Sequence, residues 1–361
     1  MSANRRQVTR RTVLATLAGL PVLGRASAEV PSLGPGLVVN IRDFGARGDG
    51  RADDTPAFQA MHDHLVAFQR RHPQGRIEIR LPTGHYRYGW NQWLWGLRRV
   101  AVIGEGASLQ CTSDSPWDVA KFALTTNADP FTAGRDAAAG KSRFGALIRS
   151  VDAGSRTVVL ADPTEGKRFV PGRRVCVLSF DQQFGGYPPN CRYFDFAMVT
   201  QVGGGSVVLD RPLRFAHRDN NCEDRAVAES IGRARIAPVD RPGAPIALEQ
   251  LISGVSFVAN PHARDRLANV VQAVGFVDLE FRGCRLINLV SSIGLRCRVI
   301  DCELEFTEPD KLVAEMQFER CRIGRISQAT GVHRLRLKDC RIEKRSDIQA
   351  RYVLAEGCTF R

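Results

Sequence analysis

The last third of the chain repeats one pattern of apolar and polar positions. Aligning "DLEFRGCRLIN", "CRVIDCELEF", "MQFERCRIGR", "LRLKDCRIEK" and "VLAEGCTFR" puts Cys284, Cys302, Cys321, Cys340 and Cys358 in register, spaced 18, 19, 19 and 18 residues apart. Two residues after each lies Leu286, Leu304, Ile323, Ile342 or Phe360. Three before lies Phe281, Val299, Phe318, Leu337 or Ala355, and five before lies Leu279, Cys297, Met316, Leu335 or Val353. Apolar residues at alternate positions mark short strands with one buried face. A fixed period marks units that bury a continuous core only by stacking. Each repeat is therefore expected to be one coil of a solenoid. Ile252, Val255 and Phe257 in "LISGVSFV" read as an earlier, interrupted coil. Leucine-rich repeats are the rival, since "VHRLRLKDCRI" fits their consensus. The period is short for them, and the intervening segments lack a helical pattern.

Nearer the N-terminus the period changes. In "GDGRADDTPAFQAMHDHLVAFQRRHP", Phe58, Met61, Leu65 and Phe68 fall at helical spacing and predict a helix with one apolar face. Thr55 is expected at its N-cap, Pro56 at its first position and Pro73 beyond its end. Asp53 and Asp54 then sit beside the positive end of the helix. The acids do not match a calcium loop, because the twelfth residue counted from Asp49 is Ala60. This acidic cluster reads as helix initiation, not as a site. Residues 144–215 contain an internal echo: "ALIRSVDAGSRTVVLADP" and "AMVTQVGGGSVVLDRP" each predict a β-hairpin. The irregular, aromatic-rich "GRRVCVLSFDQQFGGYPPNCRYFDF" lies between them, and "FAHRDNNCEDRA" follows. Together they predict a lobe against the flank of the coils that leaves a groove.

Three stretches, "VNIRDFGARGDGRADDTPAFQ", "GRIEIRLPTGHYRY" and "LRRVAVIGEGA", stand in this order within residues 38–110. In that order they resemble the N-terminal part of pectate-lyase-superfamily (pectin-lyase-like) proteins. The resemblance implies an all-β fold: a right-handed parallel β-helix with an N-terminal capping helix, here with an inserted β-hairpin lobe. The expected divisions are a signal over 1–28, cap and first coils over 29–143, the lobe over 144–240 and regular coils over 241–361.

Charge adds an address. The chain of 361 residues carries a formal net charge of +13. Arg5, Arg6, Arg10, Arg11 and Arg25 supply five of these charges, and the segment to Ala28 holds no acid, so the remainder balances to +8. Paired arginines, a short apolar run and Ala26-Ser27-Ala28 read as a twin-arginine-type signal cleaved before Glu29, and hence export to the periplasm or medium. No run is long enough for a membrane span, and no basic stretch has the interleaved aromatics of a single-strand nucleic-acid surface. Of the ten cysteines, the five in the ladder are expected as buried thiols, since parallel side chains do not aim at one another. Cys191 and Cys222 are the candidate disulfide pair.

Candidate chemistry falls in the middle of the chain. Asp181, Tyr187, Tyr193, Asp195, His217, Arg218, Asp219 and Asp224 combine acids, an imidazole, a cation and rings able to stack on sugars. Asp195, His217, Arg218 and Asp219 are the catalytic candidates; Asp181, Tyr187 and Tyr193 are those for substrate binding. Each also has a structural reading, as a turn former or a hydrogen-bonded loop residue. Trp90, Trp93 and Trp95 are expected to pack in the cap. After the ladder cysteines, Arg285, Glu303, Arg322, Arg341 and Thr359 face outward, as a polysaccharide-binding ladder or as a solvated face of cross-strand ion pairs.

The family resemblance implies either hydrolysis by two or three aspartates on the outer face of one sheet or lyase chemistry with an arginine or lysine base. A lyase would bring calcium; otherwise no cofactor or metal is expected. The regular coils, however, lack N-x-D, paired Asp, Gly-His-Gly and Arg-Ile-Lys motifs. Two functions follow: an exported lyase or glycoside hydrolase acting on an acidic, uronate-containing polysaccharide, or a non-catalytic carbohydrate-binding or envelope-structural β-helix.

Overall fold

Alternation and corner geometry together wind the chain into coils. The structure, a computed structural model, describes residues 36–90, 92–94, 96–112, 120–121, 145–179, 193–218, 234–238, 247–259, 270–309, 313–327, 332–348, 350 and 352–361. The coil stack opens with β1 (Gly36–Asn40), β2 (Asp49–Asp53), helix α1 (Thr55–Arg71), β3 (Arg76–Leu81), β4 (Gly84–Tyr88), β5 (Arg99–Cys111) and β6 (Ala120–Lys121). The lobe follows with β7 (Ala146–Leu147), β8 (Thr157–Val159), β9 (Arg174–Ser179), β10 (Tyr193–Gly203), β11 (Ser206–Leu209) and β12 (Arg235–Pro238). The stack resumes with β13 (Ala247–Val258), β14 (Val270–Arg282), β15 (Arg285–Ile300), β16 (Glu303–Pro309), β17 (Val313–Glu319), β18 (Arg322–Ile326) and β19 (Val332–Lys338). It ends with β20 (Arg341–Ile342), β21 (Tyr352–Glu356) and β22 (Thr359–Phe360).

Sixteen strands form one all-parallel, curled sheet, the parallel β-helix expected from the repeats. β13 pairs directly with β5, so the lobe is inserted between two neighbouring coils. The inward columns are those read from sequence: Leu279, Cys297, Met316, Leu335 and Val353 stand in register, as do Phe281, Val299, Phe318, Leu337 and Ala355. Ile252 pairs with Phe281 and Ser256 with Arg285, which makes "LISGVSFV" the earlier coil. Cys284, Cys302, Cys321 and Cys340 are buried and Cys358 is half-buried; all five are free thiols. Cys191 and Cys222 lie outside the described residues.

The corner between the two strands of each coil has its own solution. The residue before each ladder position is left-handed: Gly254 (φ 67°), Gly283 (57°), Asp301 (53°), Arg320 (51°), Asp339 (52°) and Gly357 (63°). The backbone N–H groups of Gly283, Asp301, Arg320 and Asp339 each donate to the carbonyl of the next coil, at 2.8–3.0 Å. The bend thus satisfies its own donor, and three side-chain-bearing residues accept a conformation that favours glycine.

Helix α1 buries Phe58, Met61, Leu65 and Phe68, the predicted face, with Pro56 in its first turn. Its N-cap is Asp54, one residue earlier than expected. The Asp54 carboxylate is buried and accepts from the backbone N–H of Arg47 (2.7 Å), Gly48 (3.4 Å) and Arg87 (3.3 Å). It ties the preceding turn to β4, while Asp53 accepts from Thr55 N–H at 3.0 Å. The acidic cluster is structural. Trp93 is buried edge-on to Phe58, and Trp90 packs on the core edge-on to His62, as expected of cap residues; Trp95 lies outside the described residues.

The lobe is a six-stranded antiparallel sheet, β7-β12-β9-β10-β11-β8. The second sequence echo is the hairpin β10–β11. The first differs from expectation: its arms meet through the Ile148–Leu160 bridge, while β7 pairs with β12 and β8 with β11. Alternation gives the sheet two apolar faces. Val175, Val177, Ala197 and Val199 fill the lobe's own core, whereas Cys176, Leu178 and Phe194 join the β-helix core. That second face fixes the lobe against the coils.

Candidate functional site

Two places on this frame gather polar and charged side chains, and the first is where lobe and coils meet. The β9–β10 register sets Tyr193 opposite Ser179 and Asp195 opposite Val177, so Asp195 points away from the coil stack, into the lobe. Asp195 is only 4% exposed. Its Oδ1 accepts from Arg214 N–H (3.1 Å) and Arg214 Nε (3.0 Å); its Oδ2 accepts from Phe215 N–H (3.2 Å) and bonds His217 Nε2 (3.1 Å). Buried His217 reaches Ser179 Oγ through Nδ1 at 3.0 Å, and its backbone pairs in both directions with Val151. Burial pushes the Asp195 carboxyl up, but the hydrogen bonds from His217 and Arg214 outweigh it and hold the group below the usual carboxylate range. An ionised Asp195 can only accept, so His217 Nε2 is the donor of that hydrogen bond.

This arrangement brings together Tyr193, Asp195 and His217 of the predicted residues. The Tyr193 ring meets Phe215 edge-on at 5.9 Å. Arg218 stands apart from the network: it is exposed, and its guanidinium pairs with Asp152 at 2.7 Å. Asp181, Tyr187, Asp219 and Asp224 lie outside the described residues. Asp195 and His217 are buried and hydrogen-bonded, and they hold the segment 214–217 against β10.

What they position was not read from the sequence. Phe215 lies 4.8 Å from the ring of His333 in β19, and His333 lies 5.2 Å from Tyr352 in β21. Tyr352 is 53% exposed. Arg214, half-exposed, lies 5.5 Å over the Phe215 ring. Arg334, beside His333 in sequence and opposite Tyr352 in register, is exposed and has no ion pair or hydrogen bond among the described residues. Its register partner Glu315 is engaged by Arg336 at 3.2 Å. Phe215, His333 and Tyr352 thus form a chain of rings at the junction beneath Arg214, and Arg334 stands opposite Tyr352 on the outward face.

The second place is a cleft of about 320 Å³ at the other end of the same outward face, lined by residues that include Arg76, Arg99, Glu249, Asp278, Glu280 and Arg298. Asp278 and Glu280 alternate outward on β14, an acid pair that "VDLEFR" carries openly in sequence. Both are already engaged: Asp278 by Arg296 at 3.0 Å, and Glu280 by Arg298 at 2.8 Å and Arg282 at 2.9 Å. The outward row after the cysteines behaves likewise. Glu303 lies 3.9 Å from both Arg285 and Arg322, and Glu343 lies 2.8 Å from Arg322 and 3.6 Å from Arg341. That row is a solvated ion-pair face, the second of its two expected readings. No group of three or more potential metal ligands occurs among the described residues.

No protein-family model matches the chain. Over 48 residues, 13% of this chain and 5% of the other, it is 46% identical to "Alginate lyase 7" of Azotobacter vinelandii. In architecture it is similar to the tailspike protein gp49 from Pseudomonas phage LKA1, with a TM-score of 0.41, 16% identity and coverage of 89% of this chain and 55% of that one. It is also similar to the Gp54 tailspike of Acinetobacter baumannii bacteriophage AP22, solved in complex with A. baumannii capsular saccharide. There the TM-score is 0.37 and the identity 8%, covering 85% of this chain and 58% of that one. The chain spans less than two thirds of each of these proteins.

Proposed function

We propose that the protein is an exported β-helix that grips an acidic, uronate-containing polysaccharide where the lobe meets the coils. The observation that carries this reading is Arg334. Among the described residues it is a cation without a carboxylate partner, on a face whose other arginines are largely paired, opposite the exposed ring of Tyr352 in register. A uronate offers what that arrangement lacks: a carboxylate for the guanidinium and a sugar face for the ring. Arg214 is already paired with Asp195 at 3.0 Å and lies over Phe215, so it shapes the ring surface and leaves Arg334 as the carboxylate receptor. The 48-residue likeness to a protein named an alginate lyase supports a uronate ligand, as does the positive balance of the chain. Export rests on residues 1–28, which lie outside the described residues.

Turnover at the same place, by lyase or hydrolase chemistry, is the second reading, favoured by the His217–Asp195 hydrogen bond. Binding is the better supported of the two. Asp195 is buried, ionised and fully engaged, which suits a positioning group more than a proton donor. The test is to incubate the protein with a panel of uronate polysaccharides, following retardation in affinity gels, unsaturated-product absorbance and reducing ends together. Retardation without product supports the binder. Product formation that Asp195→Asn abolishes supports the enzyme. Absence of both retardation and product across the panel contradicts the proposal.

A further inference from the structure

We infer that Arg325, Lys344 and Arg345 bind a doubly charged tetrahedral oxyanion, the group presented by free phosphate or by a phosphate ester on a sugar. The site belongs to the ladder β16–β18–β20, whereas Arg334 belongs to the ladder β15–β17–β19. It shares no residue with the proposed uronate receptor and asks for a different anion.

The backbone builds this corner. Register pairs Arg322 with Arg341 and Ile323 with Ile342. Beyond them, Glu343 N–H donates to the Ile323 carbonyl at 2.9 Å and Asp347 N–H to the Ile326 carbonyl at 3.1 Å. The upper rung therefore advances four residues where the lower advances three. One residue is inserted, a bulge of the kind that re-aims side chains. Ser346 locks it: its Oγ accepts from Ile326 N–H at 3.0 Å and donates to the Lys344 carbonyl at 3.1 Å. Lys344 and Arg345 stand in this bulge, one rung from Arg325, about 4.8 Å at the usual strand spacing. All three side chains are exposed.

None of the three has an ion pair or a side-chain hydrogen bond among the described residues. The nearby carboxylates are taken. Glu343 lies 2.8 Å from Arg322 and 3.6 Å from Arg341, and Glu305 and Asp347 are engaged as well. Like charges on neighbouring rungs repel, and the locked bulge keeps their backbones from drawing apart. A bound anion relieves that repulsion. One uronate carboxylate would answer a single cation. A phosphate monoester brings close to two charges and three acceptor oxygens. Those oxygens suit three converging cationic side chains, and each guanidinium can hold two of them at once. Phe306, half-buried and in register beside Arg325, offers an apolar surface to a sugar that carries the phosphate.

The test titrates inorganic phosphate, glucose 1-phosphate, glucuronate and glucose into the full chain, with binding read by calorimetry at low and high salt. At least one of the two phosphates is expected to bind more tightly than glucuronate, and glucose not at all. That binding should weaken as salt screens the cations. Arg325→Ala and Lys344→Ala should each weaken it about tenfold or more, the loss of a hydrogen bond to a charged group. Both are exposed positions, so folding should survive either change. Arg334→Ala should leave phosphate binding within about twofold of wild type. Tighter binding of glucose 1-phosphate than of inorganic phosphate assigns the site to phosphorylated glycans; equal affinity assigns it to phosphate itself. Binding of neither phosphate, equal affinity for glucuronate, or unchanged binding in Arg325→Ala and Lys344→Ala overturns the inference. Failure of uronate binding at Arg334 would leave it standing.

Discussion

At the end of β10, Asp195 shows how one carboxylate organises a surface without belonging to it. Its hydrogen bonds fix Arg214 over Phe215 and seat His217 against Ser179. Because the folded state depresses its pKa, Asp195 contributes stability above the unfolded carboxyl value, near 3.8. That contribution is lost as pH falls through the lower folded value. Asp195→Asn should therefore cost about 1–3 kcal/mol at pH 7. The difference from wild type should shrink as the medium is acidified below pH ~4. Urea midpoints measured from pH 7 to pH 2.5 check this; a pH-independent difference would mean that the charge is not what the network holds. The same scale governs the thiol ladder. Cys321 is 3% exposed, with Sγ donating to the Val299 carbonyl at 3.2 Å. Cys321→Asp should cost roughly 3–5 kcal/mol as an uncompensated buried charge, whereas Cys321→Ala should cost about 1 kcal/mol. Equal urea midpoints for the two would place the side chain outside the coil.

Strands, corners and cap show which physical signals a sequence carries. The alternating columns were legible because burial on one face imposes period two on every rung, and the helix because Phe58, Met61, Leu65 and Phe68 share one face. The left-handed corners at Asp301, Arg320 and Asp339 were not, because no residue type marks them as glycine marks Gly283. The N-cap shifted to Asp54 because its carboxylate is needed by three backbone donors from other segments, which local propensity does not register. Phe215, His333, Arg334 and Tyr352 are not legible for a related reason: coil stacking sets Tyr352 beside His333 and Arg334, and only the packing of the lobe adds Phe215. The acid pair Asp278–Glu280 was in plain view. Alternation alone does not set it apart, because outward acids such as Glu303 recur on the coils as ion-pair partners of arginine.

The corner glycines allow a controlled comparison of two such elements. Gly283 and Gly254 share the left-handed conformation. A Cβ on Gly283 would meet no atom within 4 Å, while one on Gly254 would lie 2.3 Å from the Gly104 carbonyl oxygen. Gly283→Ala should cost about 1 kcal/mol, the torsional penalty alone. Gly254→Ala should cost clearly more, since two backbones must also separate. Matching melting temperatures for the two variants would deny the close approach of β5 and β13.

Across the whole molecule, a stack of coils presents columns of outward side chains, and a lobe packs on its flank where Phe215 meets His333. The stack neutralises most of its own arginines, so a ligand's carboxylate finds a receptor only where pairing stops. The proposed export would place that face before extracellular glycans, and on that proposal N-terminal sequencing of exported material should begin near Glu29; a mature chain starting at Met1 would contradict it. The most direct test of the account is calorimetric titration of a uronate oligosaccharide into wild type, Arg334→Ala and Arg322→Ala. Arg322 is the control, an outward arginine already held by Glu343 at 2.8 Å. The account predicts that Arg334→Ala weakens binding about tenfold or more, the loss of a hydrogen bond to a charged group, while Arg322→Ala stays within about twofold of wild type. Wild-type affinity in Arg334→Ala, or an equal loss in Arg322→Ala, would contradict it.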